Sequence, residues 1–243
     1  TRLLVPEEFV TIQEGIDAAT TGDTVLVNQG IYYENLTIDK TITLTSYAMF
    51  DDLSNWVEYD SLLYSKWMVE NENIDSTIID GIGATDEYGS CILIYNESEC
   101  IAPIVFGFTI QNGIGTEVTR NPLTEDEESQ RLGGGILLGV SNPAIKYNQF
   151  KDNDSDGIHS GGAIYLTTEP EDWGFDNTLL TSNRCDEVLM FDFSPNYFGG
   201  NDAMYGNTMS NRFHTNSYDM SESIFDVATC DGGVVPPAWI LIE

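Results

Sequence analysis

The feature that most restricts the fold is a long series of short β-branched runs, separated by glycine, asparagine, aspartate and serine. Each run is about the length of a single strand, and the residues between runs favour turns. Two-residue hairpin signals such as Asn-Gly do not recur at regular spacing, so the pattern does not favour a series of antiparallel hairpins. The runs are VLV (25–27), LTI (36–38), ITLTS (42–46), STIID (76–80), CILIY (91–95), IVFGFTI (104–110), GILLG (135–139), AIKYNQF (144–150), GAIYL (162–166), NTLLTS (177–182), EVLMFDF (187–193) and WILIE (239–243).

Two segments of the chain are approximate copies of each other. GGGILLGVSNPAIKYNQFKDN (133–153) begins at Gly133, and its copy GGAIYLTTEPEDWGFDNTLLTSN (161–183) begins at Gly161. A repeat of this length, made of short strands and polar corners, is typical of a solenoid whose coils stack. Corner asparagines in such a stack can hydrogen-bond to neighbours one coil away. The asparagines that recur beside the apolar runs are Asn148, Asn153, Asn177, Asn183, Asn207 and Asn211.

One segment near the start has the periodicity of a helix. Phe9, Ile12, Ile16 and Ala19 form a single apolar stripe, at spacings of three, four and three residues. Thr11 can cap the helix with Glu14 three positions later, and Gly22 ends it. We therefore expect residues 1–22 to cap the first coil, whose strand edge would otherwise be open to aggregation.

These residues also carry a family resemblance. The segments 5–46 and STIIDG (76–81) resemble the opening of secreted bacterial right-handed parallel β-helix proteins of the pectate-lyase-like superfamily. GFTIQNG (107–113), GGGI (133–136) and GGAIY (161–165) resemble the repeat coils of the same group. The resemblance implies an all-β fold, a right-handed parallel β-helix over residues 1–243, with a capping helix and protruding loops. It does not define a function, because this superfamily includes lyases, hydrolases and adhesins.

The charge balance restricts the partners. Forty acidic and nine basic residues give a formal net charge of −31, which repels nucleic acid and anionic membrane surfaces. We interpret the acidic surface as one that favours solubility in salty water. The alternative interpretation is that it attracts divalent cations. Because the sequence lacks a run of 18 apolar residues, we expect no membrane insertion.

The cysteines favour an oxidising compartment. Cys91, Cys100, Cys185 and Cys230 allow two disulfides in three pairings, and Cys91 and Cys100 are close enough in sequence to close one local loop. We therefore expect a secreted or cell-surface protein.

Two insertions interrupt the strand pattern. Residues 47–75 carry aromatic side chains among acidic ones, and Trp56, Tyr59 and Trp67 are candidates for a glycan- or protein-binding surface. The alternative is that these rings pack as a side lobe of the core. Residues 116–132 are expected to form a solvated acidic loop.

The run KDNDSDGIHSGG (151–162) resembles the start of a calcium-binding loop. Asp152, Asp154 and Asp156 stand at alternate positions before Gly157, but the twelfth position is Ala163 and a strand follows. The run therefore predicts a polar turn between two coils. The alternative is a partly hydrated calcium ion held by the three aspartates, and no other cofactor is required.

The sequence assigns no catalytic residue. The lysines Lys40, Lys66, Lys146 and Lys151 and the five arginines lie outside any pattern that resembles the basic motifs of pectate lyases. His159 and His214 do not pair recognisably with a nucleophile. We therefore expect a non-enzymatic extracellular surface, adhesion or self-assembling structural protein. Its loops would bind glycans or partners, and the C-terminal strand 239–243 would pair with a second copy. The alternative is a carbohydrate-active lyase or hydrolase of the pectate-lyase-like group.

Overall fold

The protein is mostly β-strand, with few helices. The computed structural model describes residues 1–60, 62, 65–83, 89–96, 99–120, 128–139, 141–154, 162–166, 190–201, 209–211, 217–219 and 224–225. Within these ranges the helices are α1 Ile12–Ala18 and α2 Glu72–Ser76, with short 3₁₀ helices at Tyr47–Phe50 and Gly81–Gly83. The strands in the same ranges are β1 Arg2–Val5, β2 Thr24–Val27, β3 Gly30–Tyr32, β4 Leu36–Ile38, β5 Thr43–Ser46, β6 Val57–Asp60, β7 Ser65–Met68, β8 Thr77–Asp80, β9 Ile92–Ile94, β10 Ile104–Phe106, β11 Thr109–Gln111, β12 Thr116–Arg120, β13 Glu128–Leu132, β14 Ile136–Leu138, β15 Ala144–Lys146, β16 Gln149–Lys151, β17 Ile164–Leu166, β18 Met190–Asp192, β19 Tyr197–Gly199, β20 Met209–Asn211, β21 Ser217–Asp219 and β22 Ile224–Phe225.

Most strands belong to three parallel sheets. Sheet A has the order β1-β2-β5-β10-β15-β18-β21, sheet B the order β3-β8-β11-β16-β19-β22, and sheet C the order β4-β9-β14-β17-β20. From β2 onward the described strands alternate between sheets A, B and C in turn, apart from the two hairpins below, and each complete circuit up to β20 adds one strand to every sheet. Two antiparallel hairpins, β6–β7 and β12–β13, lie outside this order. The prediction of an all-β protein with parallel strands is confirmed.

One hydrophobic cluster is shared by all three sheets. Alternate side chains of each strand enter it, as expected for strands with one buried face. Sheet A contributes Val25, Leu44, Val105 and Ile145, sheet B contributes Ile79, Ile110, Phe150 and Phe198, and sheet C contributes Ile92, Ile136 and Ile164. In sheet B the rings of Phe150 and Phe198 stack with centroids 5.0 Å apart. Matched apolar positions of successive circuits therefore build the core.

The offset between the two sequence copies predicts the pairing of one strand correctly and fails for the next one. Ile136 of β14 pairs with Ile164 of β17, as the offset between the two copies predicts. The same offset would match Gln149 of β16 with Asn177, but Gln149 pairs with Tyr197 of β19. The circuit from β16 to β19 is longer than the offset between the two copies because it contains the connection 167–189 between β17 and β18. This connection is outside the described residues. The register follows the stacked apolar side chains, and the similarity between 144–153 and 172–181 does not determine it.

Helix α1 has the predicted cap. The Thr11 side chain accepts a hydrogen bond from the Glu14 N–H, and the Glu14 carboxylate accepts one from the Thr11 N–H in return. The predicted stripe is also confirmed, because Ile12, Ile16 and Ala19 are buried and Phe9 packs against the core. The helix ends at Ala18, before Gly22, and it contacts β1, β2 and β4.

Buried asparagines join successive strands of sheet B, as predicted for Asn148 and Asn153. The Oδ1 atom of Asn148 accepts from the Phe108 N–H at 3.0 Å, and the Asn148 N–H donates to Asn196 Oδ1 at 2.9 Å. At the other end of β16, Asn153 Oδ1 accepts from the Gly113 N–H at 3.1 Å. Asn177, Asn183 and Asn207 lie outside the described residues, and Asn211 lies in β20.

Removing one of these amides should destabilise the fold. Asn153→Ala leaves the buried Gly113 N–H and Ile110 carbonyl without the partners that the amide supplies. We expect the free energy of unfolding in urea to fall by about 2 kcal/mol or more. Asn55→Ala is the control, because Asn55 is exposed, and its effect should stay within about 0.5 kcal/mol. Equal effects of the two variants would contradict the stabilising role of the buried asparagines.

Candidate binding surface

Residues 47–60, 62 and 65–76 form a lobe on the outer side of sheets A and B. Ala48, Trp56 and Ile74 form a second buried cluster there. The side chains that pack against it are Leu53, Val57, Met68, Phe106, Tyr147 and Tyr197. Trp56 is only 2% exposed, and its ring meets that of Tyr147 edge-on at 5.6 Å. The assignment of Trp56 to a ligand surface is therefore wrong, because Tyr147 and its neighbours on the outer side of the sheets bury the ring. The alternative, in which the ring packs as part of a side lobe, is correct for this residue.

Polar contacts hold the lobe in place. Asp51 Oδ2 accepts from the side-chain amides of Asn71 and Asn73, both at 2.9 Å. The Thr109 hydroxyl donates to the Ile74 carbonyl at 3.1 Å, and the Gln149 amide donates to the Asp75 carboxylate. The end of the first 3₁₀ helix, helix α2 and sheet B are thereby connected, so the lobe has a fixed position on the sheets.

The hairpin β6–β7 projects from this lobe with two different faces. Tyr59 pairs with Lys66 across the hairpin, and Glu58 pairs with Trp67. Because side chains of paired residues share a face, Tyr59 and Trp67 lie on opposite faces. Glu58 and Trp67 therefore share one face of the hairpin, and Tyr59 and Lys66 share the other; all four side chains are exposed.

Large apolar side chains of the lobe remain exposed. Trp67 is 43% exposed, Tyr59 56% and Leu62 87%, and Phe50 and Val69 are also exposed. The guanidinium carbon of Arg2 lies over the Phe50 ring, 5.4 Å from its centroid. Exposed apolar groups on one rigid segment are typical of an interaction surface. The structure thus agrees with the predicted exposure of Tyr59 and Trp67, but it does not place the three aromatic residues on one surface.

The segment that contains the hairpin is rich in acidic residues. Residues 47–75 contain seven acidic residues and one lysine, Lys66, which lies on the opposite face from Trp67. Glu58 was not a candidate from the sequence. Its position beside Trp67 depends on the hairpin register, and no Asn-Gly or Asp-Gly turn in this stretch signals that register.

The three aspartates of the calcium alternative are only partly described. Asp152 and Asp154 are exposed, and Asp156 lies outside the described residues. Asp152 has a left-handed φ of 51°, at the position that Asn112 and Gly200 occupy in the circuits before and after it. Among the described residues, no three metal-ligating side chains form a group. Asp152 thus lies at a corner that follows a strand, and its left-handed conformation is typical of a polar turn residue.

Cys91 is a free thiol, so the predicted local loop between Cys91 and Cys100 is wrong. The Cys91 Sγ points into the core, where it donates to the Gln111 carbonyl at 3.1 Å. Burial raises the pKa of the Cys91 thiol to about 12, and the negative charge of Asp80 acts in the same direction. Cys100 is disulfide-bonded, and Cys185 and Cys230 lie outside the described residues.

The described parts of the acidic segment 116–132 form an antiparallel hairpin. Strands β12 and β13 pair with each other, and Leu132 is buried with Leu137 and Tyr165 on the outer side of sheet C. The expectation of a solvated loop is therefore wrong at this end, because the outward side chains of sheet C cover Leu132. Residues 121–127 lie outside the described ranges.

Lys40, one of the lysines considered for the enzyme alternative, and the buried Asp80 both have structural partners. The Lys40 ammonium donates to the carbonyls of Ile16 and Ala19 at the end of α1, at 3.2 and 3.4 Å. The buried Asp80 carboxylate accepts from Gln111 at 2.8 Å and from Asn112 at 2.9 Å. His159, His214 and the C-terminal strand 239–243 are outside the described residues.

The comparisons with known proteins add no relative. No protein-family model matches the sequence, and no curated protein matches it. Among the described residues, no helix is long and apolar enough to cross a membrane.

The two tryptophans of the lobe should differ in their contribution to stability. Trp56→Ala should lower the free energy of unfolding by about 3–5 kcal/mol, since it empties a buried site. Trp67→Ala should lower it by less than about 1 kcal/mol, because that ring is exposed. The Trp56 Nε1 finds no hydrogen-bond partner among the described residues, so Trp56→Phe should retain most of the stability. Urea unfolding gives all three values; a larger loss for Trp67→Ala than for Trp56→Ala would contradict this packing.

The Cys91 thiol should make stability fall with rising pH in alkali. The unfolded thiol loses its proton near its ordinary pKa of 9.0, whereas the folded thiol keeps it to about 12. Between these values the folded state binds more protons, so stability declines by up to about 1.4 kcal/mol per pH unit. This contribution is complete below pH 9 and absent in Cys91→Ala. Parallel stability curves of the two proteins from pH 8 to 11 would show that Cys91 is not buried in this way.

Proposed function

We propose that the three parallel sheets are the faces of one right-handed parallel β-helix. The cyclic visits to sheets A, B and C, the parallel pairing of successive circuits and the single shared core support this architecture. Connections between parallel strands of one sheet are right-handed in nearly all proteins, which supports the handedness. Helix α1 covers the start of sheets A and C in this arrangement, as a terminal cap of a solenoid does.

The function that this arrangement supports best is non-enzymatic binding at an extracellular surface. The observation that carries the proposal is the contrast within the lobe: Trp56 and its neighbours are locked against the sheets, while Tyr59, Trp67 and Leu62 are exposed. A rigid segment binds a partner with little loss of conformational entropy, so an exposed aromatic group on it is an efficient contact for a partner.

The chemistry of the rest of the molecule supports the same proposal. The net charge of −31 disfavours anionic partners such as nucleic acid, uronate polymers and anionic lipid surfaces. The disulfide at Cys100 fits an oxidising compartment outside the cytosol. A neutral or cationic partner outside the cell is compatible with both properties.

The binding role can be tested with three immobilised probes of different charge. The probes are a lysine- and arginine-rich peptide, the neutral polymer hydroxyethyl cellulose and the anionic polymer polygalacturonate. We expect capture on the cationic or the neutral probe, and loss of at least fivefold in apparent affinity for the double variant Tyr59→Ser/Trp67→Ser. Both side chains are exposed, so the variant should remain folded.

The matched control removes two exposed apolar side chains outside the lobe. Val10→Ser/Ile82→Ser changes residues that are at least as exposed as Tyr59 and Trp67, and it should bind like the unmodified protein. Capture on none of the probes, or equal capture of the double variant and the unmodified protein, would overturn the proposed function.

A further inference from the structure

We infer that the face of the β6–β7 hairpin that carries Glu58 and Trp67 binds an arginine or lysine side chain of a protein partner, between the Trp67 ring and the Glu58 carboxylate. This inference rests on the proposed function and names the chemistry of its ligand. It concerns one face of the hairpin, and it assigns no ligand role to Tyr59.

The geometry brings a ring and a carboxylate together. Glu58 and Trp67 are directly opposite each other in the register of the hairpin, and both side chains are exposed. Cβ atoms of such a pair lie about 4.5–5.5 Å apart. An ammonium or guanidinium group can therefore contact the face of the indole and hydrogen-bond to the carboxylate at once.

The surrounding charge favours a cation over a neutral ligand. Glu70 and Glu72 follow the hairpin and are exposed, and Lys66 is directed to the other face. Seven acidic residues and one lysine in residues 47–75 continue the sign of the whole chain. A cationic side chain is attracted to this face from a distance, and its own charge offsets the repulsion between neighbouring carboxylates.

The same lobe already contains one pair of this kind. Arg2 lies over the exposed ring of Phe50, with its guanidinium carbon 5.4 Å from the ring centroid. This distance is within the range of a favourable cation–π contact. A guanidinium group of another chain could meet Trp67 in the same manner, with the added hydrogen bond to Glu58.

The positions of the other aromatic residues disfavour a sugar-stacking platform. A chain of sugar units would need neighbouring rings on one side of the molecule. Trp56 is buried, and Tyr59 is on the opposite face of the hairpin from Trp67. A single exposed indole with a facing carboxylate suits a compact cation better than an extended glycan.

The test compares an arginine peptide with an uncharged peptide of the same shape. Tetra-arginine and tetra-citrulline, each with one fluorophore, are titrated with the full chain at low and at high salt, and anisotropy gives Kd. We expect binding of the arginine peptide only, weakened at high salt. Trp67→Leu should raise Kd about three- to tenfold, as should Glu58→Gln, while Trp67→Phe should retain most of the affinity.

Two control variants separate this site from general attraction to an acidic protein. Glu99→Gln removes an exposed carboxylate elsewhere, and Tyr59→Ala alters the other face of the hairpin; both should change Kd by less than twofold. Equal loss in Glu58→Gln and Glu99→Gln would overturn the inference, as would unchanged binding by Trp67→Leu or equal binding of tetra-citrulline. If only hydroxyethyl cellulose is captured, and the Tyr59→Ser/Trp67→Ser variant loses it, the binding role stands and the cationic ligand is wrong.

Discussion

The structure depends on buried apolar side chains that stack at matching positions of neighbouring parallel strands. In sheet B, Ile79, Ile110, Phe150 and Phe198 follow one another across four strands, and all four are buried. Because adjacent strands lie about 4.8 Å apart, each side chain shields the next from water. A slip of one residue would turn this row outward, and the asparagines at both ends of β16 add hydrogen bonds that hold the same register.

The rigid sheets also explain how a short insertion can be both anchored and exposed. The outward rings of Phe106, Tyr147 and Tyr197 give the lobe an apolar base, and Trp56 completes it. The hairpin β6–β7 extends beyond this base, with Val57 and Met68 packed against the cluster and Glu58 and Trp67 exposed. Binding at Glu58 and Trp67 would leave the core untouched, so ligand chemistry and stability can vary independently in this part of the molecule.

Local patterns predict the parts of the fold that local interactions decide. The cap of α1 and its apolar stripe follow from the spacing of residues between Phe9 and Ala19, and the structure contains both. The inward asparagines Asn148 and Asn153 were predicted from their position beside apolar runs, whereas Asn196 and Asn201 were not recognised. Cys91 shows the opposite case, because closeness to Cys100 in sequence suggested a bond, while the strand that follows Cys91 directs its sulfur into the core.

The sequence by itself determined the all-β class, the helical cap and the acidic surface, because each of these follows from composition or from a short period along the chain, while the parallel strands were implied by the family resemblance. Only the tertiary structure decided which tryptophan of the lobe is buried and which is exposed, since Trp56 and Trp67 have the same local chemistry. It also decided that β16 pairs with β19 across a long connection, and that Glu58 faces Trp67. These outcomes depend on contacts between distant segments, where the burial of apolar surface and the register of paired strands outweigh local preference.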